Sequence, residues 1–449
     1  MKGIGKVGPW LERHSSHFTV EALAKELDPA WVDKALRVCG RETIRERALP
    51  AEFTVWLVIL LGLYRKLSYV NVLEKLRDTW WCRGRWREEN VPRSTSVSEA
   101  RDRVGAEVLG CLFELAAGRW AATTRGLVKW GRRVLAVDGT TYKVQDTPRN
   151  ARHWKRPKAG RGRSGYPQVR AVHLVDVGTR LVLGLALGPY LSGEVTLARR
   201  LVAGLRAGTL VLLDRNFQAY DLLWDIRQRR ADFIVRVKRN ARCRVLKVFG
   251  RGDRLIELEL PRYYRRKRPD LPRTWKLREI TYRPKGSRET IRIWTSLLNP
   301  RAYPKEELAE LYHGRWGVET ATDEVKTHLS EAATVSRPPH LRSKTPERVT
   351  QELYGMLLAY NVVRLLMVRA AGPAKLEPCR LSFVACLERV REAVREMMWM
   401  ETEKLPGRYR RLLEALLRIT VPLRPGRKYP RAVKVKMSGY PLKRRRRSA

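Results

Sequence analysis

The chain has 449 residues, 44% hydrophobic and 31% charged, enough apolar material for roughly two to four cored domains and too much for a disordered chain. Ninety-two Lys and Arg against 46 Asp and Glu leave a formal charge of +46, a self-repelling surplus that calls for a polyanionic partner, nucleic acid first and an anionic membrane surface second. The longest apolar run, residues 53–64, is about half a membrane span, the first ten residues hold no signal-peptide core, and six scattered cysteines form no CxxC pair, which excludes a zinc ribbon or disulfide scaffold and leaves a cytoplasmic protein as the expectation.

In chain order, residues 1–125 read as a helical N-terminal domain. Leu27-Asp28-Pro29 opens one helix, and residues 53–76 carry the apolar run into polar helix formers. Ser96 and Glu99 have capping-box spacing for a helix that continues through Val104, Val108 and Leu112. Short basic helices joined by turns suit DNA contact, and a plain helical bundle has the same look. From Arg133 the period changes. Residues 126–238 hold a buried strand over 134–137 and a hairpin over 169–175 and 180–187. Helices over 194–205 and 217–228 alternate with strands over 209–213 and 233–237. That order predicts an α/β domain with a mixed sheet.

Residues 239–298 alternate apolar and basic residues between turn signals at Gly250-Arg251-Gly252-Asp253 and Pro284-Lys285-Gly286, a β-rich insertion. Residues 299–375 return to helix over 305–329 and, mostly apolar, over 346–368. Residues 376–449 form a C-terminal helical region that ends, from Arg424, in a basic tail without an acid.

The chemistry-bearing residues fall in three places. Asp138 and Asp214 each follow an apolar strand, where α/β sheets gather catalytic groups. Asp138-Gly139 is also a hairpin-turn pair, and Asp214 is also placed to cap a helix. Farther on stand Tyr312, Arg315, Glu319 and Lys326. At about 100° per residue they share one helical stripe, which reads either as a site or as an exposed salt-bridged face. His313, His328, Asp323 and Glu324 are possible metal neighbours.

The spacing Tyr-x2-Arg-x3-Glu-x6-Lys, met here at Tyr312, Arg315, Glu319 and Lys326, resembles the signature of the Insertion Sequence 4 family of DDE transposases. Val137-Asp138-Gly139-Thr140-Thr141 is similar to that family's first catalytic block, and Leu212-Leu213-Asp214-Arg215-Asn216-Phe217 to the second. Residues 45–76 resemble its N-terminal region. Leu341-Arg342-Ser343-Lys344-Thr345-Pro346, with Glu352-Leu353, resembles the stretch after its catalytic Glu. The resemblance implies a ribonuclease H-like catalytic core interrupted by the β-rich insertion. It implies Asp138, Asp214 and Glu319 as a catalytic, metal-binding triad for two Mg²⁺ or Mn²⁺ ions, with Tyr312, Arg315 and Lys326 as DNA contacts. The implied activity is cut-and-paste transposition. The element's terminal inverted repeats are bound and cleaved and their 3′ ends joined to target DNA, with a homodimer in the synaptic complex and residence on the nucleoid. A domesticated or inactive DNA-binding relative and a metal-dependent nuclease of the same fold are the alternatives. Some relatives stack a flipped base on a strand Trp. The matching position here is Ile291, so Trp294 and Trp275 are expected to pack in the core, with base stacking as the rival role.

Overall fold

The computed structural model describes residues 26–422 except 46, 78–90, 160–161, 164, 239, 285–288 and 330–339. The basic tail, Cys82 and the centre of the turn at Lys285-Gly286 lie outside the described residues. The chain divides into two compact units. One comprises residues 123–142 and 169–322; the other comprises the N-terminal residues through 122, residues 143–168, and the chain from 323 onward.

The first of these is built on one large sheet. Its strands are β1 (Val128–Lys129), β2 (Arg132–Val144), β5 (Gln168–Asp176), β6 (Val182–Pro189), β7 (Thr209–Leu213), β8 (Asp232–Arg236), β9 (Arg244–Gly250), β10 (Asp253–Glu259), β11 (Thr274–Tyr282) and β12 (Ile291–Thr295). In the other unit, two short strands over 158–159 and 162–163, β3 and β4, pair antiparallel. The order across the sheet is β6-β5-β2-β7-β8-β12-β11-β10-β9. β2, β7 and β8 run parallel, and β5–β6 is the expected antiparallel hairpin. The first five positions are the ribonuclease H-like arrangement that the resemblance implies. Residues 239–298 do not form a separate body: β9 to β12 continue the same sheet beyond β8 by antiparallel pairing.

The reason is visible in the residues. β7 is buried along its whole length, as are Val134 to Val137 of β2 and Asp232 to Val235 of β8, the near-continuous apolar pattern of strands covered on both faces. Leu135, Val137, Val211, Leu213, Phe233 and Val235 point to one face. There they pack with Leu197 and Val202 of the helix Glu194–Val202 and with Leu222, Leu223 and Ile226 of the helix Tyr220–Gln228.

The other unit is mainly helical: Pro29–Val38, Ala51–Leu63, Tyr69–Arg77, Ser94–Thr123, Pro148–Trp154, Pro346–Ala371, Phe383–Met397 and Leu405–Leu417. The apolar run fills Ala51–Leu63, of which every residue from Phe53 to Leu63 is buried. It packs lengthwise on Pro346–Ala371 through two glycines. A Cβ on Gly62 would stand 2.6 Å from the Gly355 carbonyl oxygen, and one on Gly355 would stand 2.7 Å from Val58. Pro346–Ala371 has membrane-span length and apolarity, but 83% of its apolar window is buried. At its N-terminal end Glu352 is clamped by an ion pair to Arg65 and accepts the backbone amides of Arg342 and Ser343, both at 2.9 Å. Burial pushes the Glu352 carboxyl up, yet Arg65 and these donors hold it at about 2.

Two local expectations shift. The helix expected to be capped by Ser96 begins at Ser94, so Ser96 and Glu99 lie inside it, and Gly105 breaks its geometry with φ 77°. The helix expected over 305–329 is interrupted. Lys305–His313 ends at Gly314, Trp316–Asp323 follows, and Glu324–His328 is a π-helical turn. Around Gly314 and Gly317 the amides of Arg315, Gly317 and Val318 bond three residues back, the tightened geometry that poor helix formers permit.

Candidate active site

The sheet itself sets the first two carboxylates side by side. Val137 pairs with Leu213 across β2 and β7, so the next residues, Asp138 and Asp214, are neighbours about one strand spacing (~4.8 Å) apart. Asp214 ends β7. Asp138, expected at the end of its strand, lies inside β2, because the strand runs on to Val144; what ends there is its pairing with β7. Gly139 is explained by space rather than by a turn: a Cβ there would meet the Glu194 carboxyl carbon at 2.7 Å. Glu194 is held in that place by Arg170 at 2.8 Å. The capping role of Asp214 is real. Its Oδ1 accepts the amides of Asn216 and Phe217 at 2.7 and 3.3 Å.

Lys305–His313 and the break after it bring up the rest. Tyr312 is buried, and its hydroxyl donates to the Leu213 carbonyl at 3.2 Å, bracing the residue before Asp214. Arg315, also buried, donates from Nη2 to Glu319 Oε1 at 3.0 Å, while its Nη1 has no hydrogen-bond partner among the described residues. The stripe is therefore not an exposed face as far as Tyr312 and Arg315 are concerned.

Electrostatics tie these groups into one site. Burial is the largest influence on Asp138 and raises it from 3.8 to about 6; Arg315 opposes the rise, and Asp214 and Glu319 add to it. Burial also works against the Arg315 charge, but Tyr312, Glu319 and Asp214 outweigh it and keep the guanidinium protonated. Burial pushes Tyr312 up to about 12, so it is a neutral donor. The fourth motif residue, Lys326, belongs to the helical unit. It sits on the π-helical turn, so the even α-helical step does not run unbroken from Glu319 to it. Its charge is disfavoured by burial and by Lys143.

The possible metal neighbours are engaged elsewhere. Glu324 is buried against Arg364 and Tyr360, and Asp323 lies 3.4 Å from His328. His313 is exposed. Trp294 is fully buried and donates to Glu279 at 3.0 Å. Trp275 packs edge-on against Trp224 and Phe233. Trp294 is thus a core residue, as expected, and Trp275 packs against the same core while partly buried. One neighbour is missing from the sequence reading. Leu213 pairs with Val235, so Arg236 at the end of β8 continues the row Asp138, Asp214, and it acts electrostatically on Tyr312. The signal for it was a third apolar strand ending in a charged residue.

Among the described residues no three His, Cys, Asp or Glu side chains close around an ion; Glu319 is held by Arg315. The donor set nonetheless fits a hard divalent cation. Asp138, Asp214 and Glu319 offer only oxygen ligands; burial first, and repulsion from Asp214 and Glu319 after it, disfavour the Asp138 charge, and a bound cation would offset both.

The family description "Transposase DDE domain" matches residues 129–362, and "Insertion element 4 transposase N-terminal" matches residues 17–114. The chain is 29% identical over 442 residues to the transposase InsG for insertion sequence element IS4 of Escherichia coli K12, covering 98% of this chain and 97% of that one. It is 26% identical over 218 residues to the putative transposase InsZ of the same organism, covering 47% and 69%. A solved chain of a piggyBac transposase synaptic complex with hairpin DNA superposes with a TM-score of 0.41 at 13% identity, over 93% of this chain and 86% of that one. The chain thus belongs to the Insertion Sequence 4 family of DDE transposases, enzymes that act on DNA, and carries their ribonuclease H-like core.

Proposed function

We propose that this transposase binds the ends of its own element, cleaves them at the Asp138–Asp214–Glu319 site and joins the 3′ ends to target DNA by cut-and-paste transposition. The observation that carries the reading is the register placing Asp138 beside Asp214, with Glu319 and Arg315 acting on the same carboxylate. In this reading the three carboxylates hold Mg²⁺ or Mn²⁺, two ions in all. When bound, the metal favours attack by water or a 3′-hydroxyl on phosphorus and stabilises the leaving oxygen.

The chain's own residues do the rest. Arg315, charged, buried and with a free Nη1, turns from Glu319 to a phosphate oxygen by bidentate contact. Tyr312 fixes the height of Asp214 through Leu213; it contacts a phosphate by exchanging that bond. Lys326 supplies a point charge to DNA. The domain limits read from the sequence serve as the division of labour: residues 1–125 on end DNA, 126–238 and 299–375 on cleavage, 239–298 as the insertion, and 376–449 with the basic tail. Two element ends call for a homodimer, and work on chromosomal DNA places the enzyme in the cytoplasm on the nucleoid.

The test is Mg²⁺-dependent cleavage of a duplex carrying the element's own end. Asp138→Asn, Asp214→Asn and Glu319→Gln are each expected to abolish cleavage and leave end binding intact. Full cleavage by any of the three refutes the triad. Hydrolysis without joined product from a 3′-hydroxyl donor end would favour a simple nuclease.

A further inference from the structure

The row that holds the two aspartates does not stop at β8. Arg236 pairs with Ile293 of β12, Ile293 with Ile280 of β11, Ile280 with Asp253 of β10, and Asp253 with Gly250 of β9. One level of the sheet therefore runs from Asp138 across seven strands to the turn between β9 and β10. Because β12 and β10 run against β8 while β11 and β9 run with it, the end of β11 and the β9–β10 turn lie at the same edge of the sheet as the carboxylates. Arg283 follows β11, and Arg251 sits in the turn; both are exposed.

That edge carries charge the unit itself does not need. Residues 239–298 contain 18 Lys and Arg against 6 Asp and Glu. Each of the six acids is bridged by an arginine: Asp253 by Arg278, Glu257 by Arg244, Glu259 by Arg273, Asp270 by Arg268, Glu279 by Arg254 and Arg292, and Glu289 by Arg236. Arg251 and Arg283 have no carboxylate partner among the described residues. The turn under Arg251 is rigid. Arg278, fully buried, donates to both oxygens of Asp253 at 2.7 and 2.6 Å and to the Tyr303 carbonyl at 2.6 Å. Gly252, with φ 72°, lies so close to β11 that a Cβ would meet the Thr281 carbonyl oxygen at 2.4 Å. Lys305 donates to the Arg251 carbonyl at 2.9 Å and brings a further cation to the same turn.

We infer that this edge is a track for duplex DNA, on which Arg283 and Arg251, with Lys305, hold backbone phosphates at a fixed distance from the phosphate being cleaved. The distance follows from the sheet. Four strand spacings separate β2 from β11 and five to six separate it from the turn, about 19 and 24–29 Å. At ~3.4 Å per base pair the contacts fall about six to eight base pairs from the scissile phosphate. The inference rests on the proposed cleavage site only for its origin; the binding itself does not require catalysis.

The test compares the full chain with the double variant Arg251→Ala/Arg283→Ala. Binding is measured from 50 to 200 mM salt, on a duplex carrying the element's end with its flank and, separately, on unrelated target duplex. The slope of log K against log salt should fall by about 1.8 for two lost phosphate contacts. Hydroxyl-radical protection should vanish about six to eight base pairs from the cleavage position and persist elsewhere. The charge-matched pair Arg262→Ala/Arg266→Ala, in the short helix at the opposite edge of the sheet, should leave the slope unchanged. A reduced slope on end DNA assigns the track to the element end, and one on target duplex assigns it to the target. An unchanged slope on both, an equal fall in the opposite-edge pair, or protection lost elsewhere overturns the inference. If the wild type never cleaves while these slopes behave as stated, the cleavage reading fails and the track stands.

Discussion

Replacing Asp138 with asparagine should make the metal-free protein more stable. The folded chain holds this carboxyl at about 6 instead of 3.8, through burial and the neighbouring Asp214 and Glu319, only partly offset by Arg315. A carboxyl raised on folding binds its proton more tightly in the native state. Stability is therefore undiminished below pH 3.8, falls as the pH climbs toward 6, and stays reduced above it. At ~1.4 kcal/mol per pH unit, the rise costs the fold about 3 kcal/mol at neutral pH. Asparagine keeps the shape and removes the charge. In EDTA at pH 7.5 Asp138→Asn should melt higher, by about 6–12 °C for a unit of this size. At pH 4 the gap should shrink several-fold. Added Mg²⁺ should raise the wild type and not the variant, because the cation binds only where the charge is. A variant no more stable than wild type at pH 7.5, or a gap that widens in acid, refutes the reasoning.

Gly355→Ala should destabilise the helical unit by about 1–3 kcal/mol, since its Cβ falls 2.7 Å from both Val58 Cγ1 and the Val58 carbonyl oxygen; chemical denaturation reads it directly. Arg65→Met strands the buried Glu352 charge and should cost about 3–5 kcal/mol. Glu352 sits at about 2 in the fold against an ordinary 4.5, so the wild type should lose stability as pH falls from 4.5 toward 2, and that acid limb should flatten in the variant. Tyr312→Phe leaves the Leu213 carbonyl without its donor. It should lower the single-turnover cleavage rate more than it weakens end binding; equal losses in both would make the phosphate contact, and not the brace on Leu213, its main role.

What was legible in the sequence was what period and spacing encode. The strand over 209–213 and the hairpin ahead of it were found because buried strands announce themselves as apolar runs bounded by turn residues. The site motif was found because Tyr312, Arg315 and Glu319 are close in sequence. What escaped depends on pairing between distant segments. No local signal says that β2 runs past Asp138, or that Gly139 is small because Glu194, held by Arg170, stands against it. Arg236 belongs to the row because β8 is parallel to β7, a pairing that neither strand's residues encode. The insertion's strands were legible one by one, but nothing in their alternation told that they extend the catalytic sheet. The break at Gly314 and the π-helical turn at Lys326 leave no mark on the motif's spacing, which suits one even helix equally well.

The glycine-mediated embrace of the two apolar helices also has a consequence for biosynthesis. Ala51–Leu63 leaves the ribosome roughly 290 residues before Pro346–Ala371 does. At 5–20 residues per second that is about 15–60 s during which a mostly apolar helix lacks the surface that covers it. The whole catalytic sheet is translated in that interval. The nascent chain must either fold its β-rich unit while the earlier helix is shielded by a chaperone, or hold that helix against a transient partner, so the yield of active enzyme is set by elongation rate and chaperone supply as much as by the sequence of the finished protein.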